Sequence, residues 1–115
     1  MKLAIVGSRT FTDYNKLCKC IDFLNTHNNI DTIISGGARG ADTLAKQYAE
    51  SHNITLLEYK ADWDTYGKSA GFIRNKDIIK NSDFVVAFWD GQSRGTKNDI
   101  DLCHEYHKSY IVVFI

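Results

Sequence analysis

Short apolar runs alternate along this chain with longer segments in which apolar residues return every third or fourth position. The short runs, at residues 3–6, 32–34, 54–59, 84–88 and 110–115, are rich in Val, Ile and Phe and predict five strands. The longer segments, at residues 13–27, 41–52, 70–81 and 96–107, predict helices. Leu17, Ile21 and Leu24 share a face of the first, and Ile100, Cys103 and Tyr106 share a face of the last. Asp13 and Thr96 stand where N-caps are expected.

Consecutive apolar positions within one strand, as in Phe84-Val85-Val86-Ala87-Phe88, are expected where helices cover both faces of a parallel sheet. The alternation therefore predicts an α/β fold, a Rossmann-like three-layer sandwich around a five-stranded parallel sheet. Right-handed crossovers give the order 3-2-1-4-5, with the topological switch point between the first and fourth strands. Residues 60–71, carrying Trp63, Tyr66, Gly67 and Lys68, follow neither period and form a candidate lid.

At 115 residues the chain is read as a single domain, 1–115, large enough to bury a core without staples. Lys+Arg and Asp+Glu both number 14, so no global field draws the protein to nucleic acid or membrane. Three cysteines at irregular spacing make no disulfide framework, and the reducing cytoplasm is the expected location. The apolar start ends at Gly7-Ser8-Arg9 without a cleavage pattern and reads as a strand, and no apolar run approaches the ~20 residues of a spanning helix.

Three loops rich in glycine and hydroxyl groups follow predicted strands: Gly7-Ser8-Arg9-Thr10, Ser35-Gly36-Gly37-Ala38-Arg39-Gly40 and Gly91-Gln92-Ser93-Arg94-Gly95-Thr96. In an open α/β sheet such loops gather at the carboxyl ends of the strands, where backbone N–H groups and helix N-termini hold anions. The second loop has neither the G-x-G-x-x-G spacing of a dinucleotide fingerprint nor the Gly-Lys-Ser/Thr of a P-loop. Its three glycines and arginine nevertheless exceed what a tight turn requires. The expected ligand carries phosphate.

Arg9, Arg39, Arg74 and Arg94 are the candidates for charge-assisted contacts with phosphate oxygens, with Arg74 and Arg94 placed first. Tyr66 and Lys68, in a glycine-containing stretch, are preferred over Trp63 as ligand contacts, while Trp63 and Trp89 serve equally well as packing. Asp42 and Asp99 fall in the first turns of helices, where a carboxylate complements the dipole as readily as it serves a reaction. His104 and His107 beside Cys103 lack the further ligands of a tetrahedral metal site, and Cys18 and Cys20 point to different helix faces. No metal or cofactor is expected.

With these loops in order, the chain resembles the SLOG superfamily, which joins the Smf/DprA and Lonely Guy proteins. Within it the chain is most similar to the small stand-alone cpYpsA-related group, often met in phage and mobile elements. The matching segments are Gly7 to Phe11, Ser35 to Asp42, Ala61-Asp62-Trp63, Tyr66 to Asn75 and Phe88 to Thr96. The resemblance implies a Rossmann-like domain that binds nucleotides or molecules derived from them, often as a dimer. In the Lonely Guy enzymes an arginine and a glutamate three residues after Gly-Thr cleave the N-glycosidic bond of nucleoside monophosphates. Arg74 and Asp99 stand in those places, the acid one methylene shorter and the Pro-Gly-Gly-x-Gly-Thr loop replaced by Asp90 to Thr96.

The expected function is thus a binding module that senses or sequesters a nucleotide-derived signal. Its ligand contacts are drawn from Gly7, Ser8, Arg9, Ser35, Gly36, Gly37, Arg39, Gly40, Asp42, Tyr66, Lys68, Arg74, Asn75, Asp90, Gly91, Ser93, Arg94, Gly95 and Thr96. The alternative is a phosphoribohydrolase using Arg74 and Asp99. A third reading, a DNA-binding accessory protein, is set aside on the zero net charge and the lack of a basic stripe. The expected partners are accordingly a small nucleotide-derived molecule and a second copy of the chain, without nucleic acid or membrane.

Overall fold

The alternation within β1 (Lys2–Gly7) divides the core: Leu3 and Ile5 pack into one layer, Ala4 and Val6 into the other. The computed structural model describes residues 1–115. β1 lies at the centre of a parallel sheet with β2 (Thr32–Ser35), β3 (Thr55–Glu58), β4 (Phe84–Trp89) and β5 (Ser109–Phe114), in the order β3-β2-β1-β4-β5. This is the order the crossover rule predicts.

Helices α1 (Tyr14–His27) and α2 (Ala41–Ser51) cover one face, burying Leu17, Ile21, Ala45 and Tyr48 against Leu3, Ile5, Ile33 and Val86. The other face is covered by α4 (Ala70–Lys80) and α5 (Arg94–Glu105), through Ile78, Ile79, Ile100 and Leu102 against Ala4, Val6, Ile34 and Val85. Because both faces are covered, the β4 run is apolar at successive positions, as its sequence requires. No helix is long and apolar enough to cross a membrane.

Two local expectations change. Helix α5 begins at Arg94, and its N-cap is Ser93, whose Oγ accepts the Thr96 N–H at 3.4 Å; Thr96 is instead a buried residue of the first turn. Ser93 has the same capping chemistry as Thr96 and comes directly after the turn at Gly91, which takes φ +82°. The candidate lid folds into a one-turn helix, α3 (Trp63–Tyr66), and a 3-10 turn, Gly67–Ser69, that leads into α4. Asp62 nucleates it, its carboxylate accepting the Thr65 N–H at 3.1 Å. The expected cap at Asp13 forms on Lys16 N–H at 3.0 Å.

Candidate functional site

The loops after β1, β2 and β4 close around a pocket of about 370 Å³ at the carboxyl edge of the sheet, at the switch point between β1 and β4. Its floor is the apolar pair Val6 and Ile78; the loops after β1 and β4 and helices α2, α4 and α5 bring polar side chains, and the loop after β2 brings Gly36 and Ala38.

Glycine shapes this pocket chiefly by letting the loops touch one another. A Cβ on Gly7 would stand 2.5 Å from the Phe88 carbonyl oxygen and 2.8 Å from Ala41 Cβ. One on Gly40, at φ +77°, would stand 2.5 Å from the Arg9 backbone. One on Gly36 would meet Arg74 Nη1 at 2.7 Å and Asp42 Oδ2 at 3.0 Å. Gly95 differs: nothing lies within 4 Å of its Cβ position, so its missing side chain leaves the pocket wall open.

Ser8 ties the loops together. Its N–H donates to Phe88 O at 2.9 Å, its carbonyl accepts from Phe11 and Ala41, and its Oγ accepts the Asp90 N–H at 3.3 Å. Arg74 is also held in place, donating from Nη1 to Gly36 O at 2.7 Å and from Nε to Asn75 Oδ1 at 3.1 Å. Asn75 Nδ2 donates onward to Asn98 Oδ1 at 3.1 Å, joining α4 to α5. A guanidinium has five N–H donors, so Arg74 keeps donors for a ligand in an orientation already set.

The carboxylates divide by environment. Asp99 is only 5% exposed, lines the pocket, and its Oδ1 has no hydrogen-bond partner. Burial raises its pKa well above the usual 3.8, with the nearby Asp42 charge adding to the rise and Arg74 opposing it. Burial also raises Asp42, against the Ala38 N–H that donates to it at 3.0 Å and the charge of Arg74. Asp90 is exposed and moves down, because the N–H groups of Ser93 and Gln92 both donate to its Oδ1 at 2.8 Å. It therefore occupies donors that the loop would otherwise offer to an anion. The N–H groups of Arg94 and Gly95, first in α5, have no intrahelical acceptor.

Of the residues expected at the site, Gly7, Ser8, Arg9, Gly36, Asp42, Arg74, Asn75, Asp90, Ser93, Gly95, Thr96 and Asp99 line this pocket. Gly37 and Arg39 line an adjoining depression with Lys60, Ala61 and Trp63, which shares Arg9, Gly36, Ala38 and Arg74 with the first. Tyr66 and Lys68 line neither, and α3 turns Trp63 to the depression. Arg94 and Gly91 also stand outside, and Ser35 is fully buried with an unpartnered hydroxyl. Gly40 serves the contact with Arg9. Trp89 supports the third loop, its indole N–H donating to Ser93 O at 3.1 Å.

Thr10, Ala38, Val6 and Ile78 line the pocket unforeseen. Thr10 sits next to the arginine chosen from the same loop, while Val6 and Ile78 have the pattern of ordinary core residues. Away from the pocket, His104 is engaged with the Tyr110 hydroxyl at 2.7 Å and Cys103 is buried.

Residues 1–66 match the family described as YAcAr: YspA, cpYpsA-related SLOG family. The Gene 61 protein of Mycobacterium phage D29 is 34% identical over 104 residues, covering 84% of this chain and 83% of that protein. Two solved structures share the fold. DNA processing protein A from Helicobacter pylori, described for a unique single-stranded DNA binding mode, superposes with a TM-score of 0.75 over 97% of this chain at 24% identity. DNA processing protein A (DprA) from Streptococcus pneumoniae superposes with a TM-score of 0.80 over 96% at 20% identity. This chain spans 64% and 49% of their respective lengths.

These likenesses overturn the exclusion of nucleic acid as a partner. The Helicobacter protein has this fold and binds single-stranded DNA, so the argument from net charge fails. The physical reason is that a net charge has no position. Arg9, Arg39 and Arg74 border the two depressions, Arg94 opens α5 beside them, and none of the chain's arginines is in a salt bridge.

Proposed function

Because this chain belongs to the YspA, cpYpsA-related SLOG family, we propose that its carboxyl-edge pocket holds the phosphate of a nucleotide or nucleotide-derived signal, which the protein senses or sequesters. The observation that carries this reading is the convergence on one pocket of two arginines that form no salt bridge, Arg9 and Arg74, and the open N-terminal turn of α5. Asp99 fits the same reading. Burial raises its pKa and so lessens the tendency to carry the negative charge that would repel a phosphate. The nucleotide is recognised free or as the 5′-phosphorylated end of a single strand, since both present a phosphomonoester.

Calorimetry against adenosine 5′-monophosphate, ADP-ribose, cyclic oligonucleotides and a short 5′-phosphorylated oligodeoxynucleotide tests the reading. Saturable binding is expected, weakened about tenfold or more by Arg9→Ala, since a charge-assisted hydrogen bond contributes about 1.5–3 kcal/mol. The reading fails if no phosphorylated compound binds, or if unphosphorylated adenosine binds equally well.

One observation favours a second reading, hydrolysis of the N-glycosidic bond: a buried, unpartnered Asp99 carboxyl that shares the pocket with Arg74. Arg74 would hold the 5′-phosphate while Asp99 protonates the departing base nitrogen as the C–N bond breaks. Water then adds to the anomeric carbon and returns a proton to the Asp99 carboxylate, giving free base and ribose 5-phosphate. Chromatography of the calorimetry samples checks this. Base release should vanish in Asp99→Asn and decline as pH rises through the raised pKa of Asp99; binding with no free base leaves only the binding module.

A further inference from the structure

We propose that the depression beside the pocket is a second nucleotide subsite, in which a base stacks on Trp63 and a second phosphate is held by Arg39 and Lys60, so that the ligand is at least a dinucleotide unit. The inference rests on the phosphate-binding reading of the first pocket and adds the size of what is bound.

The depression has a volume of about 640 Å³, and its lining contains Arg9, Arg39, Lys60 and Arg74 but no aspartate or glutamate. None of those four cations is in a salt bridge. Glu58 approaches from β3, its carboxyl 3.5 Å from where a Gly37 Cβ would stand, and one carboxylate leaves the cationic excess in place. Trp63 is 53% exposed in a chain that buries most of its other large apolar groups. It opens the one-turn helix capped by Asp62, and its indole edge, Cη2, lies 3.5 Å from the Cβ position of Gly71 in α4. The ring is thus presented to solvent on a supported edge beside unpaired cations. An aromatic plane next to arginines is the arrangement that takes a base and its phosphate. Arg9, Gly36, Ala38 and Arg74 line both depressions, so one ligand can run from the first into the second without crossing a wall.

The test compares 5′-phosphoryl deoxyadenosine with its 5′-phosphorylated dinucleotide and hexanucleotide by calorimetry and tryptophan fluorescence. The dinucleotide should bind at least about tenfold tighter than the mononucleotide, the gain expected of one stacked base. Its affinity should also fall more steeply with salt, by a slope of about 0.7 per added phosphate. It should quench fluorescence that is absent from Trp63→Ala. Trp63→Ala and Arg39→Ala should each reduce the dinucleotide's advantage while leaving mononucleotide affinity unchanged.

A hexanucleotide that binds tighter still identifies a single strand as the source of the dinucleotide unit, and one equal to the dinucleotide identifies a free dinucleotide. Equal affinity for mono- and dinucleotide overturns the second subsite while leaving the first intact, as does a dinucleotide advantage that survives Trp63→Ala. If no phosphorylated probe binds, the reading of the first pocket falls, and the second with it.

Discussion

Asp99 has traded water for the interior of the molecule, and the trade is visible in stability as well as in chemistry. Its pKa is raised in the folded protein, so the folded state binds its proton more tightly than the unfolded chain does. Below the ordinary value near 3.8 both states hold the proton and Asp99 contributes no pH dependence. As pH climbs from there through the raised value, the folded state loses stability relative to the unfolded one, and above it the loss is constant. Asp99→Asn, which cannot ionise, should therefore gain on the wild type in urea melts as pH rises across that window and match it most closely in acid. A wild type whose relative stability does not fall over that range would contradict the burial argument. Asp42, raised in the same direction, adds to the trend in both proteins. Arg9 has the opposite character, exposed and unpaired at the pocket mouth, and its removal should cost binding without costing the fold.

Helix ends are the elements that join fold to site. Ser93 and Asp13 cap α5 and α1 through the same kind of bond, a side-chain oxygen accepting from the N–H three residues on. Replacing either with alanine should cost about 1 kcal/mol in chemical denaturation. Only Ser93→Ala should also weaken nucleotide binding, because Ser93 lines the pocket and Asp13 does not. Equal effects on binding would show that the α5 terminus is structural alone. The strands and long helices were legible because their periods repeat over many residues. The start of α5 was less so, since Ser93 and Thr96 have the same capping chemistry and only the turn at Gly91 selects between them. The orientation of Trp63 depends on a single turn seeded by Asp62, too short to impose a period.

Across the whole molecule, the right-handed crossover rule carries the strand order and hence the place where the loops after β1, β2 and β4 meet. Most of the pocket was therefore legible as a set of loops. Its apolar floor was not, because Val6 and Ile78 are of the residue types that fill any core. Nor was the distribution of charge: equal numbers of acids and bases sum to zero whether mixed or segregated, and here the arginines collect at one edge of the sheet. Asp42, Asp90 and Asp99 line the same edge, and what overturns the exclusion of nucleic acid is the likeness to a protein of this fold that binds single-stranded DNA. The most direct measurement of the central claim is a titration of isotopically labelled protein with adenosine 5′-monophosphate, followed by amide resonances. Saturable shifts at Ser8 to Thr10 and at Arg94 to Thr96 are predicted, with little change at the opposite edge around Lys2, Asp31 and Asp83. Absence of shifts at saturating nucleotide, or shifts centred on that opposite edge, would contradict it.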